Sequence, residues 1–169
     1  MSPPSVVKVG RIRSGYRIRV EGRGTLRESP AVHEFAGHAL GDGASTLVVD
    51  LSACDYLDST FLGCLVDLHR RHGTGQPPRL LIAASPEVRR QAFAANHLEP
   101  LFRHVDECPE VVGEDRVIPP LTLEARDLGW HILECHRRLA EVEGPNRAAF
   151  GAVAEELARE LAGSRSGPH

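Results

Sequence analysis

The run Thr46-Leu47-Val48-Val49-Asp50-Leu51 constrains this chain more than any other stretch. It is short, strongly apolar and closed by polar residues, so it reads as a central strand buried on both faces. A second run, Arg79-Leu80-Leu81-Ile82-Ala83-Ala84, has the same character. Each is followed by a helix-start signal. Asp58-Ser59-Thr60 is a capping cluster, and the helix after it, to about His72, carries the apolar face Phe61, Leu62, Leu65, Val66 and Leu68. Gly73-Thr74-Gly75 stops it. Ser85-Pro86-Glu87 starts the next helix, to about Asn96. Leu98, Leu101, Phe102 and Val105 then suggest a closing turn and short strand.

Upstream, Tyr16, Ile18 and Val20 alternate with Arg17, Arg19 and Glu21, the period of a half-buried strand. Val6–Ile12 is a strand candidate, joined to it by a turn at Ser14-Gly15. Ser29-Pro30 opens a helix with Ser29 as the expected N-cap, and Gly41-Asp42-Gly43 ends it. Strands that alternate with helices imply an α/β fold: a mixed, mostly parallel sheet with helices packed on it and an antiparallel N-terminal edge. The stretch Val117-Ile118-Pro119-Pro120 reads as linker. Beyond it, Leu121, Ala125, Leu128, Ile132, Cys135, Leu139 and Val142 follow a 4-3 spacing, broken at Gly144-Pro145-Asn146. Phe150, Ala154, Leu157 and Leu161 resume it, which predicts an antiparallel helical hairpin. The expected divisions are an α/β domain over 1–112, a linker over 113–120, the hairpin over 121–163 and a flexible tail over 164–169.

With 169 residues, the chain is long enough to bury a core without disulfides or metals. Hydrophobic residues at 41% and charged residues at 25% exclude a disordered or collagen-like chain. No apolar run is long enough to span a bilayer. The start, Met1 to Gly10, lacks the basic and apolar regions of a secretory leader, so a cytoplasmic location is expected. A net charge of −3 disfavours direct nucleic-acid binding. Cys54, Cys64, Cys108 and Cys135 form no C-x-x-C pair and fit reduced thiols.

The segment from Leu47 to Leu65 contains a buried strand ending in Asp50-Leu51-Ser52, a turn, and Asp58-Ser59-Thr60-Phe61-Leu62-Gly63. Here the chain resembles the STAS domain of bacterial anti-sigma factor antagonists, whose segment runs Asp-Leu-Ser, a turn, then Asp-Ser-Ser-Gly-Leu-Gly. Ser85-Pro86-Glu87-Val88-Arg89-Arg90 and Leu98-Glu99-Pro100-Leu101-Phe102 resemble later blocks of the family. The resemblance spans about residues 5–112. It implies a non-catalytic, cofactor-free regulator that binds a serine kinase acting as an anti-sigma factor. The phosphoacceptor would be Ser59, with Thr60 as the neighbouring alternative. Asp58, Phe61, Leu62 and Gly63 would line the partner surface on the helix that follows. A phosphate there would face free backbone N–H groups at a helix start and sit beside Asp58. The bare chemistry of Asp58-Ser59-Thr60 is also that of an ordinary cap. Phe61 departs from the family, which has Gly there. It is either core or an anchor for a different partner. The same resemblance admits a phosphorylation-independent adaptor of an ABC lipid-transport system or a stressosome-like scaffold.

Other residues point less sharply. His69 and His72 share a helix face, but no third ligand stands at a metal-binding spacing. A Cys/His nucleophilic pair would have to form across the fold. Arg11, Arg13, Arg17, Arg19, Arg23 and Arg27 make the N-terminal hairpin basic, as a solvated edge or as a patch for an acidic partner. Trp130 and Leu133 lie off the helical seam. They would either pack on the main domain or form a partner or homodimer surface through the C-terminal helices.

Overall fold

The computed structural model describes residues 4–163. The expected flexible tail at 164–169 lies outside the described residues. Strand β1 (Val6–Ile12) turns at Arg13-Ser14 into β2 (Gly15–Gly24), and the two pair antiparallel from Val6 opposite Glu21 to Ile12 opposite Gly15. Helix α1 (Ser29–Gly41) leads to β3 (Thr46–Leu51), which runs parallel to the first half of β2. Strand β4 (Cys54–Leu57) pairs parallel with the far end of the same strand, with Gly22 opposite Cys54 and a register shift between Gly22 and Arg23; the φ of 85° at Gly22 suits glycine. Helix α2 (Ser59–Leu68) continues through a π-helical turn, His69–Gly73, into β5 (Leu80–Ala84). Helix α3 (Pro86–Val88) continues as a π-helical Arg89–Ala94, and β6 (Arg103–His104) follows. Strand β7 (Arg116–Ile118) precedes α4 (Ala125–Ala140) and α5 (Arg147–Gly163).

The path through the sheet is β6-β5-β3-β2-β1-β7, with β4 beside β2 off that path. Strands β2, β3, β5 and β6 are mutually parallel, while β1 runs antiparallel to both its neighbours, β2 and β7. The mixed sheet agrees with the sequence reading, but its edge does not lie at β1. Three residues of the expected linker form β7, with Val7 opposite Ile118, so the linker segment closes that edge. Covering an edge removes a row of unpaired backbone groups.

Alternation along β3 sends side chains to two layers. Leu47, Val49 and Leu51 join α1, α2 and α3 in the main core, together with Ile18, Leu40, Phe61, Leu65, Ile82 and Phe93. Val48 and Ala83 face the other way and are covered by Val105, Cys108 and Val111, from an irregular strap. The strap is tied down by Val112 N–H to the Arg11 carbonyl at 2.7 Å and by the Arg17–Asp115 pair at 2.6 Å.

Ser29 does not cap α1. The cap position belongs to Glu28, whose side chain makes no cap bond, and the Ser29 hydroxyl is used elsewhere. The chain already turns before it: Thr25 donates to the Glu28 carboxylate from its backbone N at 2.9 Å and its hydroxyl at 2.6 Å. Ser85 does cap its helix, accepting from Val88 N at 3.2 Å.

The C-terminal helices form the expected antiparallel hairpin: Gly129 lies against Leu161 and Gly151 against Ala140. Helix α4 packs on both α2 and α5. Cys135 and Leu139 of the seam are buried, whereas Leu121 and Ala125 at its start are exposed. Leu133, expected on the opposite side, is fully buried, and Trp130 remains exposed.

Candidate functional site

Asp58 closes the polypeptide turn before α2. Its Oδ1 accepts from Phe61 N at 2.8 Å, which satisfies a free N–H of the first helical turn. Its Oδ2 accepts from Leu26 N at 2.8 Å, and its own N–H donates to the Gly24 carbonyl at 2.9 Å. One aspartate thus joins the start of α2 to the loop between β2 and α1.

Ser59 is the first residue of α2 and is half-buried. Its Oγ lies 3.1 Å from Nε2 of His136 on α4. The opposite ring nitrogen, Nδ1, lies 2.8 Å from the Ile132 carbonyl and must donate to it. In the neutral ring Nε2 is then the acceptor, and the Ser59 hydroxyl donates.

Thr60 is only 4% exposed, which places the alternative acceptor inside the fold. Phe61 is 0% exposed and belongs to the main core, so its ring is a core filler. Leu62 is buried in the same cluster. Gly63 is buried against α4, where a Cβ would collide with the Cys135 carbonyl. The close approach that glycine permits here is made by this chain's own helix. Of the six residues expected at the site, Asp58 and Ser59 reach the surface in part, and the other four are buried.

One turn beyond Gly63, Asp67 is 3% exposed and gathers three nitrogen-bearing side chains. His33 Nε2 of α1 reaches its Oδ2 at 2.7 Å, and Arg138 Nε of α4 reaches its Oδ1 at 2.7 Å. Arg71 Nε donates to both oxygens at 3.0 and 2.9 Å. Burial alone would raise this carboxyl, but the hydrogen bonds from His33, Arg138 and Arg71 outweigh it. They hold Asp67 well below the usual carboxylate range. Nearby, Ser29 Oγ and His131 Nε2 share a hydrogen bond of 2.8 Å, and the His33 and His131 rings meet edge to face at 5.8 Å. Burial first, and then the His33 charge, lower His131 to about 4.

His131, His136 and Arg138 escaped the sequence reading, which assigned the contact surface of α4 to an apolar seam. The signal was there in part: His131, Cys135, Arg138 and Val142 stand at 4-3-4 spacing, so the buried seam has a polar border on one side.

The remaining candidates resolve locally. Arg17 pairs with Asp115, Arg19 with Glu21 and Asp50, and Arg23 lies 4.4 Å over the Tyr56 ring, while Arg11, Arg13 and Arg27 are exposed. His69 and His72 sit in the π-helical turn, and burial lowers both below their ordinary value. Among the described residues, no three His, Cys, Asp or Glu side chains converge as a metal set would. Cys135 Sγ lies 3.7 Å from His131 Nε2, but burial pushes this thiol well up, the opposite of an activated thiolate. Burial likewise raises Cys54, Cys64 and Cys108. Among the described residues, no helix is long and apolar enough to cross a membrane.

Comparison with known proteins gives a family match and several structural likenesses. The model of the family described as "Mlab, STAS domain" matches residues 8–100, more than half of the chain. A crystal structure of an anti-sigma factor antagonist from Mycobacterium paratuberculosis is similar, with a TM-score of 0.55 at 23% identity. It covers 63% of this chain and 92% of that one. The anti-sigma factor antagonist SpoIIAA in its unphosphorylated form aligns with a TM-score of 0.48 at 15% identity, over 60% of this chain and 89% of that one. A Shewanella loihica protein described as having a SpoIIAA-like fold aligns with a TM-score of 0.42 at 18% identity, over 63% and 92%. A search of the curated proteins finds no match.

Proposed function

This chain belongs to the STAS domain family, and on that premise we propose that it is a non-catalytic, protein-binding regulator switched by phosphorylation of Ser59. The observation that carries the reading is the position of that hydroxyl. Ser59 stands half-exposed at the first residue of α2, where backbone N–H groups and the helix dipole favour an anion. Phosphate would add about −1.5 to −2 charges beside the Asp58 carboxylate. It would also replace the hydroxyl that donates to His136. A single modification would therefore change both the charge at the start of α2 and its contact with α4. Thr60 is the weaker acceptor because it is buried. The partner, by the resemblance of the Asp58–Gly63 segment, is a serine kinase that acts as an anti-sigma factor.

The test is phosphotransfer to the full chain from such a kinase, with the modified residue mapped by mass spectrometry. Transfer to Ser59, lost in Ser59→Ala, is the expected result. Transfer to any other residue, or none while the two proteins are bound, overturns the switch.

A second reading, a phosphorylation-independent adaptor of an ABC lipid-transport system or a stressosome-like scaffold, draws support from a specific observation. Gly63 is already covered by Cys135, and Phe61 fills the core. Equal binding of wild type, Ser59→Ala and Ser59→Asp to an ATPase subunit would favour it.

A further inference from the structure

The face of α2 that the family resemblance assigns to a partner is occupied in this structure by α4. The occupant leaves a detailed imprint. The Cys135 backbone passes directly over Gly63, where any side chain would collide with its carbonyl. Three residues later, Arg138 donates to the buried Asp67 carboxylate at 2.7 Å. His136 meets Ser59 at the start of the same helix.

The attachment has the mixed chemistry of a separable contact. Helix α4 contributes Cys135 and Leu139 to the main core. Its other holds on α1 and α2 include three polar pairs, Ser29–His131, Ser59–His136 and Asp67–Arg138. Permanent interfaces are more apolar than this, while interfaces that open and close retain polar pairs that water can replace. Departure of α4 would not strand the carboxylate, because Asp67 keeps His33 and Arg71 and gains solvent.

We propose that the groove along α2 is a helix-accepting interaction site which α4 fills from within, and that the regulatory partner displaces α4 with an arginine-bearing amphipathic helix of its own. That helix would carry a small residue over Gly63 and an arginine three positions later for Asp67. The arginine is the specifying element, since a guanidinium matches a buried carboxylate better than an ammonium does. The proposal rests on the reading of α2 as the partner face. It makes the hairpin an internal competitor for that face.

The test uses the full chain and a synthetic peptide with the sequence of residues 124–143. In wild type, alkylation followed by mass spectrometry compares Cys135, on the docked face of α4, with Cys54, buried on β4. Cys135 is expected to react at least tenfold faster, and faster still in Arg138→Glu. Reaction of both thiols in step, in both proteins, overturns the proposal, because α4 would then leave only when the whole fold unfolds. The peptide is expected to bind the Arg138→Glu chain at least tenfold more tightly than a peptide carrying the same R138E change. Equal or absent binding of the two peptides also overturns it. Ser59→Asp separates this inference from the phosphoswitch. If Ser59→Asp leaves the Cys135 rate unchanged while Arg138→Glu raises it, the helix-accepting groove stands and Ser59 is not its trigger.

Discussion

Between the sheet and α2 the contact is apolar: Phe61, Leu65 and Leu68 meet Ile18, Leu47, Val49 and Ile82 in one continuous cluster. Between α2 and α4 the contact is of another kind. There Ser59 meets His136, Gly63 meets a backbone carbonyl, and Asp67 meets Arg138. One helix thus presents an apolar face to a permanent neighbour and a polar-bordered face to a second one. The apolar face supplies stability in proportion to the area it removes from water. The polar-bordered face adds little net stability per pair but fixes which residues stand opposite each other. Burial alone does not distinguish the two faces, since α2 is buried on both.

Perturbations of these faces should separate in size and in what they release. Phe61→Ala strikes the apolar face and is expected to lower global stability by about 3–5 kcal/mol, read as a shift of the whole denaturant transition. A loss below about 1 kcal/mol would place Phe61 outside the core. Asp58→Ala removes the cap of α2 and the tie to Leu26, at about 0.5–2 kcal/mol in the same assay. No measurable change would mean that the cap bonds are not formed. Ser59→Ala is milder still, about 0.5–1.5 kcal/mol for one hydrogen bond, and it should act on the hairpin before the core. The fluorescence of Trp130, the single tryptophan, reads the hairpin, and circular dichroism reads the whole.

The gentlest perturbation leaves the sequence intact. His131 is lowered from 6.5 to about 4 while it lies against Ser29, His33 and Asp67. It is neutral when docked and takes a proton more readily when released. Docking of the hairpin is therefore independent of this group above pH 6.5 and weakens as pH falls from 6.5 towards 4. Asp67 acts in a separate window. Its carboxyl is depressed, so its contribution is complete above its ordinary 3.8 and is lost only as pH falls further. Acid titration of Trp130 fluorescence should thus begin near pH 6.5, before the global transition. A signal flat to pH 4 would show that His131 does not sense the docking of α4.

The parts of this molecule that were legible in the sequence are those whose chemistry is local. Strands β3 and β5 were legible because five or six residues carry their own burial pattern. The start of α2 was legible because Asp58 caps a residue three positions away. Strand β4 was missed because it is four residues long, with Asp55 and Tyr56 exposed, and it pairs only with the last residues of β2, across a register shift. Strand β7 was missed because Val117 points to solvent and Pro119-Pro120 reads as linker; only its pairing with β1 makes it a strand. Ser29 looked like a cap because Ser-Pro usually is one, yet its partner is His131, 102 positions later. The same distance hid the cover over the candidate site. Ser59 and His136 lie 77 positions apart, and Asp67 and Arg138 lie 71 apart. Spacing along α4 marks Arg138 as bordering the seam, but nothing local names the partner of either residue.

Strand β7 has one more consequence. It anchors the root of the hairpin to the sheet, so a released α4 remains on the tether formed by Pro119 to Glu124. A tether of that length spans about 20 Å when fully extended. It holds α4 near its groove at an effective concentration on the order of millimolar. Any competing helix present at micromolar levels must therefore be intrinsically the better ligand by about a thousandfold, or arrive after the docked state has been weakened. The short strand at the edge of the sheet thereby sets a threshold for a contact made at the helices.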